Sequence, residues 1–334
     1  LSTSTSGELS LKPISGSFTQ TSDSDFNQGS FSSTTVVGSG VSAKIALAAQ
    51  STTFELSFTS SGDDQANAYY GRSLVFGDFN GDGYDDLAVG ANGMGKVYVY
   101  FGSADGLSNT ADWSSTGQGK GYGSVVFSGD FNGDGYDDLA VGEFGYDTAA
   151  NSDAGKVYVY FGSSSGLSTT PDWTSVGDDQ AGAYYGSSVS SGDFNSDGYA
   201  DLVVGALYYD TANSNAGKVY VYFGSSSGLS TTPDWTSVGD DQAGAYYGVA
   251  VSSGDFNSDG HDDLAIGANC YDTANSDAGK VYAYKSIVSY YSSGTFTSSV
   301  LDAQRKVSWD TISWNAATSA STSIEVKVRT DSTS

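Results

Sequence analysis

Between residues 51 and 285 the chain alternates in short bursts. Stretches such as Lys96–Tyr100, Lys156–Tyr160 and Lys218–Tyr222, all KVYVY, send successive side chains to opposite sides of an extended strand. Gly, Asn, Asp or Ser closes each burst, and no long aliphatic run with helical spacing occurs. The pattern predicts an all-β chain of many short strands. The bursts also repeat. The segment Ala154–Gly186 is identical to Ala216–Gly248, and looser copies flank both. One unit reads YYG, a short strand, an acidic loop, DLAVG, a variable loop, GKVYVYFGS, GL, then DW followed by TSVG. That is about four strand-length segments, the content of one β-propeller blade. A single such sheet cannot bury both of its faces, so the units must stack.

The acidic loop carries the chemistry. DFNGDGYDD stands at Asp78–Asp86 and again at Asp130–Asp138, and returns as DFNSDGYAD (Asp193–Asp201) and DFNSDGHDD (Asp255–Asp263). The spacing Asp-x-Asn-x-Asp-Gly-x-x-Asp places oxygens at loop positions 1, 3, 5 and 9. Calcium takes about six to eight oxygen ligands, and alternating side chains on a curled backbone can converge on one ion. Gly at position 6 permits the curl. The first half matches an EF-hand, but position 12 is Val89, Val141, Val204 and Ile266 instead of Glu, and the loop runs into an apolar strand. The EF-hand and dockerin readings fail there.

Differences among the copies sort ligands from bystanders. Position 9 never changes, whereas position 8 is Asp85, Asp137 and Asp262 but Ala200 in the third copy. Position 7 is Tyr84, Tyr136, Tyr199 and His261, as expected of a residue that binds through its carbonyl. Position 4 alternates between Gly81/Gly133 and Ser196/Ser258, so its side chain is free of the ion. The expected ligands are Asp78, Asn80, Asp82, Tyr84 and Asp86; Asp130, Asn132, Asp134, Tyr136 and Asp138; Asp193, Asn195, Asp197, Tyr199 and Asp201; and Asp255, Asn257, Asp259, His261 and Asp263, with water as a sixth. The alternative is an Asx-rich turn that binds nothing, but its carboxylates would repel one another without a cation. Magnesium fits less well, because it keeps more water and demands a stricter octahedron. The expected cofactor is Ca²⁺, one per loop.

Charge agrees with this. Across 334 residues, 39 acidic side chains against 13 basic ones give a formal charge of −26, which argues against nucleic acid or an anionic membrane as partner. No run approaches the roughly 20 apolar residues of a membrane span. The chain opens LSTSTSGELS, without a basic and apolar leader, as expected of a mature product whose targeting signal is gone or lies outside this sequence. The extracellular expectation rests instead on the calcium loops, which would be largely empty at cytosolic calcium. Cys270, the single cysteine, precludes an intrachain disulfide and is expected as a small buried filler. His261 is the single histidine, and no Ser-His-Asp set, G-x-S-x-G elbow or Walker loop is present. The pairs Asp63–Asp64, Asp178–Asp179 and Asp240–Asp241 recur once per unit, which suits a shared turn better than one active site. Trp113, Trp173 and Trp235 recur likewise and are expected in packing, and Lys96, Lys156, Lys218 and Lys280 are expected to pair with nearby acids. The chain is therefore expected not to be an enzyme.

YYGRSLVFGDFNGDGYDDLAVGAN (Tyr69–Asn92) and its three copies resemble FG-GAP repeats, the blades of integrin α-subunit propellers and of many bacterial and archaeal surface proteins. The resemblance covers residues 60–285 and implies a β-propeller over 51–285 with four clear blades. Such propellers usually have about seven, so closure by four blades and closure with degenerate material from the flanks both stay open. The flanks differ in texture. Residues 1–50 hold a strand candidate at Val41–Ala48, and 286–334 carry GTFTSSVLDA, VSWDTISW and TSIEVKVRT. Both flanks are similar to parts of secreted microbial β-sandwich modules. The expectation is a propeller inserted into a sandwich built from the two ends, short of strands and leaving an edge for a partner chain or further sequence to complete. The expected function is a calcium-stabilised extracellular structural or adhesion protein that self-assembles into a surface layer or filament through β edges. Its partner would be protein or glycan at the cell surface. The alternatives are a lectin-like module and an accessory domain of a larger secreted enzyme.

Overall fold

The computed structural model describes residues 55–287 and, before them, four short strands: β1 (Ser2–Thr3), β2 (Leu9–Ser10), β3 (Thr34–Val37) and β4 (Lys44–Leu47). β1 pairs antiparallel with β2, and β3 with β4, so the expected strand at Val41–Ala48 is present as Lys44–Leu47. The sandwich reading of the flanks, and everything from 288 to 334, lies outside the described residues. The chain divides into compact units 1–286 and 287–334. Among the described residues there is no helix, and none long and apolar enough to cross a membrane.

Four antiparallel sheets follow one another, each a simple meander. Blade 1 is β5 (Tyr70–Gly77), β6 (Asp86–Ala91), β7 (Lys96–Tyr100) and β8 (Trp113–Thr116); blade 2 is β9 (Lys120–Gly129), β10 (Asp138–Gly145), β11 (Lys156–Tyr160) and β12 (Trp173–Ser175). Blade 3 is β13 (Tyr185–Gly192), β14 (Asp201–Ala206), β15 (Lys218–Tyr222) and β16 (Trp235–Ser237). Among the described residues blade 4 has β17 (Tyr247–Gly254), β18 (Asp263–Ala268) and β19 (Lys280–Tyr284). The innermost strands β5, β9, β13 and β17 stand next to one another in that order.

Alternation in KVYVY sets the packing. Val97 and Val99 of blade 1 meet Tyr158, Tyr160, Leu139 and Val141 of blade 2, and Val157 and Val159 meet Tyr220, Tyr222, Leu202 and Val204 in the same way. Both faces of an interior sheet are thus apolar, and each sheet is covered by its neighbours. Trp113, Trp173 and Trp235 take part, lying edge-on to Tyr160, Tyr222 and Tyr284 at 5.0–5.2 Å. The Trp113 and Trp173 indoles donate to the Ser168 and Ser230 carbonyls of the next blade at 3.0 Å. These tryptophans are packing residues, as expected from their recurrence.

Backbones also touch between blades. The innermost strands of blades 2, 3 and 4 each bulge near the start, after Tyr122, Tyr185 and Tyr247, which pushes the carbonyls of Gly123, Gly186 and Gly248 toward the preceding sheet. There they meet Gly90, Gly142 and Gly205, where a Cβ would sit 2.0, 2.3 and 2.2 Å from those oxygens. Only glycine fits such an approach.

The array is open. In blade 4, Phe256 is 59% and Val281 72% exposed, whereas Phe79, Phe131, Val97, Val157 and Val219 at the equivalent positions are 0% exposed. Cys270 is half-buried instead of buried, because the chain leaves β18 at Ala268 and turns through Asn269 and Cys270.

Gly205→Ala forces a methyl against the Gly248 carbonyl and should cost about 1–3 kcal/mol in chemical denaturation. Gly267→Ala, the same position in blade 4 with nothing nearer than 3.7 Å, should leave the transition within about 0.5 kcal/mol of wild type.

Candidate metal centre

Each acidic loop links the first strand of a blade to its second. In the first loop Asp78 Oδ1 accepts from Asp82 N (3.1 Å) and Oδ2 from Gly83 N (2.9 Å). Asn80 Oδ1 accepts from Asp82 N at 2.9 Å and Asp82 Oδ1 from Tyr84 N at 3.0 Å. The side chains at positions 1, 3 and 5 therefore fold inward over a curled backbone. The same bonds recur around Asp130, Asn132 and Asp134 and around Asp193, Asn195 and Asp197. Position 6 needs glycine here, since Gly83, Gly135, Gly198 and Gly260 all sit at φ of 86–88°.

Position 9 has a role that its constancy alone did not specify. Asp86, Asp138, Asp201 and Asp263 are buried, 0–1% exposed. One carboxylate oxygen accepts from the amide at loop position 2 (Phe79, Phe131, Phe194, Phe256) at 2.9–3.2 Å. The other accepts from the chain leaving the third strand (Gly102, Gly162, Gly224, Ser286) at 2.8–2.9 Å. Burial pushes the carboxyl of Asp86 up to about 6, that of Asp201 to about 7 and that of Asp138 to about 8, against the downward pull of those two amides. The carboxylates at positions 1 and 5 add to the rise, so three negative groups act on one another in each of these loops.

The donor set fits a hard cation. Each loop offers carboxylate, amide and carbonyl oxygens, the ligand types calcium takes, and each carboxylate oxygen bonded to one N–H keeps a second lone pair. Among the described residues no group of three or more His, Cys, Asp or Glu side chains forms a ready metal cluster. The loops fold positions 1, 3 and 5 over one curl, and each oxygen of position 9 accepts from a backbone amide. Ligands in each loop would be the residues named above, with the carbonyl of Tyr84, Tyr136, Tyr199 or His261. The fourth loop departs from the rest. Asn257 turns its amide onto Asp263 Oδ2 at 2.7 Å, and Lys285, which replaces the Phe of the other blades, pairs with Asp259 at 2.9 Å.

Positions 4, 7 and 8 bind neighbouring loops to each other, which the sequence reading missed. Gly81 lies against the Tyr136 ring and Gly133 against the Tyr199 ring, where a Cβ would come within 2.3 Å. In the next pair the glycine is Ser196 and its partner is His261, and Ser196 Oγ bonds His261 Nδ1. The side chains at positions 4 and 7 are thus matched across the blade interface. Position 8 accepts from the preceding loop: Asp137 and Asp262 take the Asp78 and Asp193 amides at 2.9 Å. Ala200 keeps only the backbone bond to Asp130 O at 2.9 Å.

The opposite end of the array holds the other recurrent groups. Lys96 and Lys218 pair with Asp63 (2.7 Å) and Asp178 (2.6 Å), and Lys280 pairs with Asp240. Asp64, Asp179 and Asp241 occupy turns at positive φ, so the acid pairs are spread one per repeat. Lys156 is the exception. Its turn reads TGQGK and lacks the acid pair, and the ammonium lies 4.8 and 4.7 Å from the Tyr146 and Tyr158 rings. Buried Glu143 beside it accepts from Tyr158 OH and Gly119 N.

Antiparallel blades of three or four described strands, with one Asp/Asn loop each, define the class: a β-propeller-type repeat array. Residues 185–222 and 247–284 match the FG-GAP repeat and 78–141 the FG-GAP-like repeat. Integrin alpha pat-2 of Caenorhabditis briggsae is 34% identical over 219 residues, covering 59% of this chain and 18% of that protein. The phosphatidylinositol-glycan-specific phospholipase D of Bos taurus is 35% identical over 175 residues, 47% of this chain and 21% of that protein. The chain thus spans only a small part of these relatives. A rhamnogalacturonan lyase of Bacillus licheniformis superposes with a TM-score of 0.40 at 17% identity, over 58% of this chain and 39% of that one, too poorly to inform fold or chemistry. The chain carries FG-GAP repeats and is similar to integrin α-chains over its blades.

Asp201→Asn would set an amide N–H against a backbone N–H at one of its two bonds. It should cost about 1–3 kcal/mol by denaturation in calcium-free buffer, where no ligand role can account for the loss.

Proposed function

We propose that the array is a calcium-stabilised, non-enzymatic module of an extracellular structural or adhesion protein. The observation that carries this is the acidic loop, repeated in every blade, with its position-9 carboxylate built into the blade core. Bound Ca²⁺ would supply charge neutralisation. The chain's own residues do the rest: Asp78, Asn80 and Asp82 hold the curl, and Asp86 transmits its order to β6 and to the exit of β7. Weak loops of this kind fill at about 10⁻⁴–10⁻³ M, a concentration met outside cells. The similarity to integrin α-chains supports the same location. The dispersal of carboxylate pairs and tryptophans, one set per repeat, supports a scaffold over a single reaction centre.

Chelation should lower the melting temperature and speed proteolysis, and an unchanged melt in EDTA overturns the calcium reading. Isothermal titration should resolve four sites, the fourth weakest because Lys285 competes for Asp259, with Asp197→Ala leaving three.

A second reading, a glycan surface, is favoured by one feature. Phe144, Tyr184, Tyr208 and Tyr246 form a half-buried ring ladder across blades 2 to 4, with centroids 5.3, 5.0 and 5.1 Å apart. Tyr184 and Tyr246 are held at φ of 55° and 56°, a strained setting for tyrosine. Glycan-array signal lost in Tyr208→Ala would support it, and a blank array would remove it.

A further inference from the structure

Among the described residues blade 4 has no outer strand, and the segment before blade 1 carries the sequence of an outer strand without being one. Residues 58–71, FTSSGDDQANAYYG, repeat 173–186 and 235–248, WTSVGDDQAGAYYG, where the leading WTS forms the outer strand of a blade. The contacts repeat as well. Ser60 Oγ meets Tyr100 OH at 2.9 Å, as Ser115 meets Tyr160 and Ser175 meets Tyr222 on the following blade. Phe58 lies edge-on to Tyr100 at 5.2 Å, where the tryptophans stand elsewhere, and Asp63 pairs with Lys96. Yet 55–61 pairs with no strand, and Leu56 is 86% exposed.

The two ends of the array also carry complementary features. Blade 4 keeps Gly267, where the other blades receive a carbonyl, with nothing nearer than 3.7 Å. Blade 1 keeps Gly71 at φ +81°, the conformation that presents that carbonyl, with nothing within 4 Å. Asp85 occupies position 8, where Asp137 and Asp262 accept the amide of the preceding loop. Blade 4 offers Asp255 beside an open pocket of about 350 Å³ lined by Ser252, Ser253, Gly254, Phe256 and Ala265. Leu74 and Phe76 of blade 1 are 61% and 58% exposed.

We propose that a second copy of this chain fills the gap: its segment 58–61 adds to β19 as the fourth strand of blade 4, and its blade 1 stacks on blade 4. The register of β16 on β15, Val219↔Ser237 and Val221↔Trp235, places Val281 opposite Ser60 and Ala283 opposite Phe58 of the second copy. The contact is heterologous, so it propagates into a ring or a filament. This deepens the scaffold reading above and rests on it. One position is out of step. Ser258 calls for a histidine, as Ser196 has in His261, and blade 1 presents Tyr84, 46% exposed at its loop tip.

The test uses the full chain carrying Cys270→Ser, in millimolar calcium. Ser60→Cys chains mixed with Val281→Cys chains should form a disulfide-linked heterodimer on mild oxidation, and Thr59→Pro in the first chain should abolish it. Tyr84→His should lower the concentration for half-association in sedimentation velocity by about tenfold, one hydrogen bond's worth. No cross-link between chains that melt as wild type overturns the proposal. So does a disulfide formed within monomers of the Ser60→Cys/Val281→Cys double variant at nanomolar concentration, which would mean closure within one chain. Calcium stoichiometry is read separately by titration, so a missing joint and a missing metal site are told apart.

Discussion

The carboxylate at loop position 9 is the constraint on which each blade depends. Asp86, Asp138, Asp201 and Asp263 are buried where only paired polar groups are tolerated, and each is paired twice with backbone amides. One bond fixes the start of the acidic loop, and the other fixes the chain as it leaves the third strand. Three separated pieces of a blade are thereby tied at a single side chain, which explains why this position stays constant while position 8 tolerates Ala200.

From that tie the interface between blades follows. With both ends of the first two strands placed, the bulge in each innermost strand aims a glycine carbonyl at a glycine of the preceding sheet. KVYVY then delivers valines to one neighbour and tyrosines to the other. Neither face of an interior blade is left to water. The contact is directional, since blade n presents valine and a bare glycine while blade n+1 presents tyrosine and a carbonyl. An array built this way has unlike ends, and capping or joining them is a physical requirement.

Much of this was legible in the chain because repetition substitutes for comparison. Four copies of one loop separated constant from variable positions, and alternation in KVYVY located strands buried on both faces. What stayed hidden was contact between copies. Position 4 read as free because Gly and Ser both occur there, and only the structure shows that the change accompanies Tyr to His one blade away. Lys156 read as an ion-pairing residue because its three equivalents are, whereas its turn has lost the acid and Glu143 stands in a strand where the other blades have alanine. Cys270 follows an apolar run and read as core, but the run ends two residues earlier. Residues 58–61 carry the outer-strand signature without a blade of their own, a signal readable by extending the repeat backwards.

The claim joining these observations is that the acidic loops are metal clips anchored in the blade core. Anomalous diffraction from crystals grown in millimolar calcium tests it directly. The account predicts one anomalous peak in each loop, within coordination distance of the side chains at positions 1, 3 and 5, with position 9 still holding its two amides. Loops without a peak at saturating calcium, their carboxylates bonded only to backbone N–H, would contradict it.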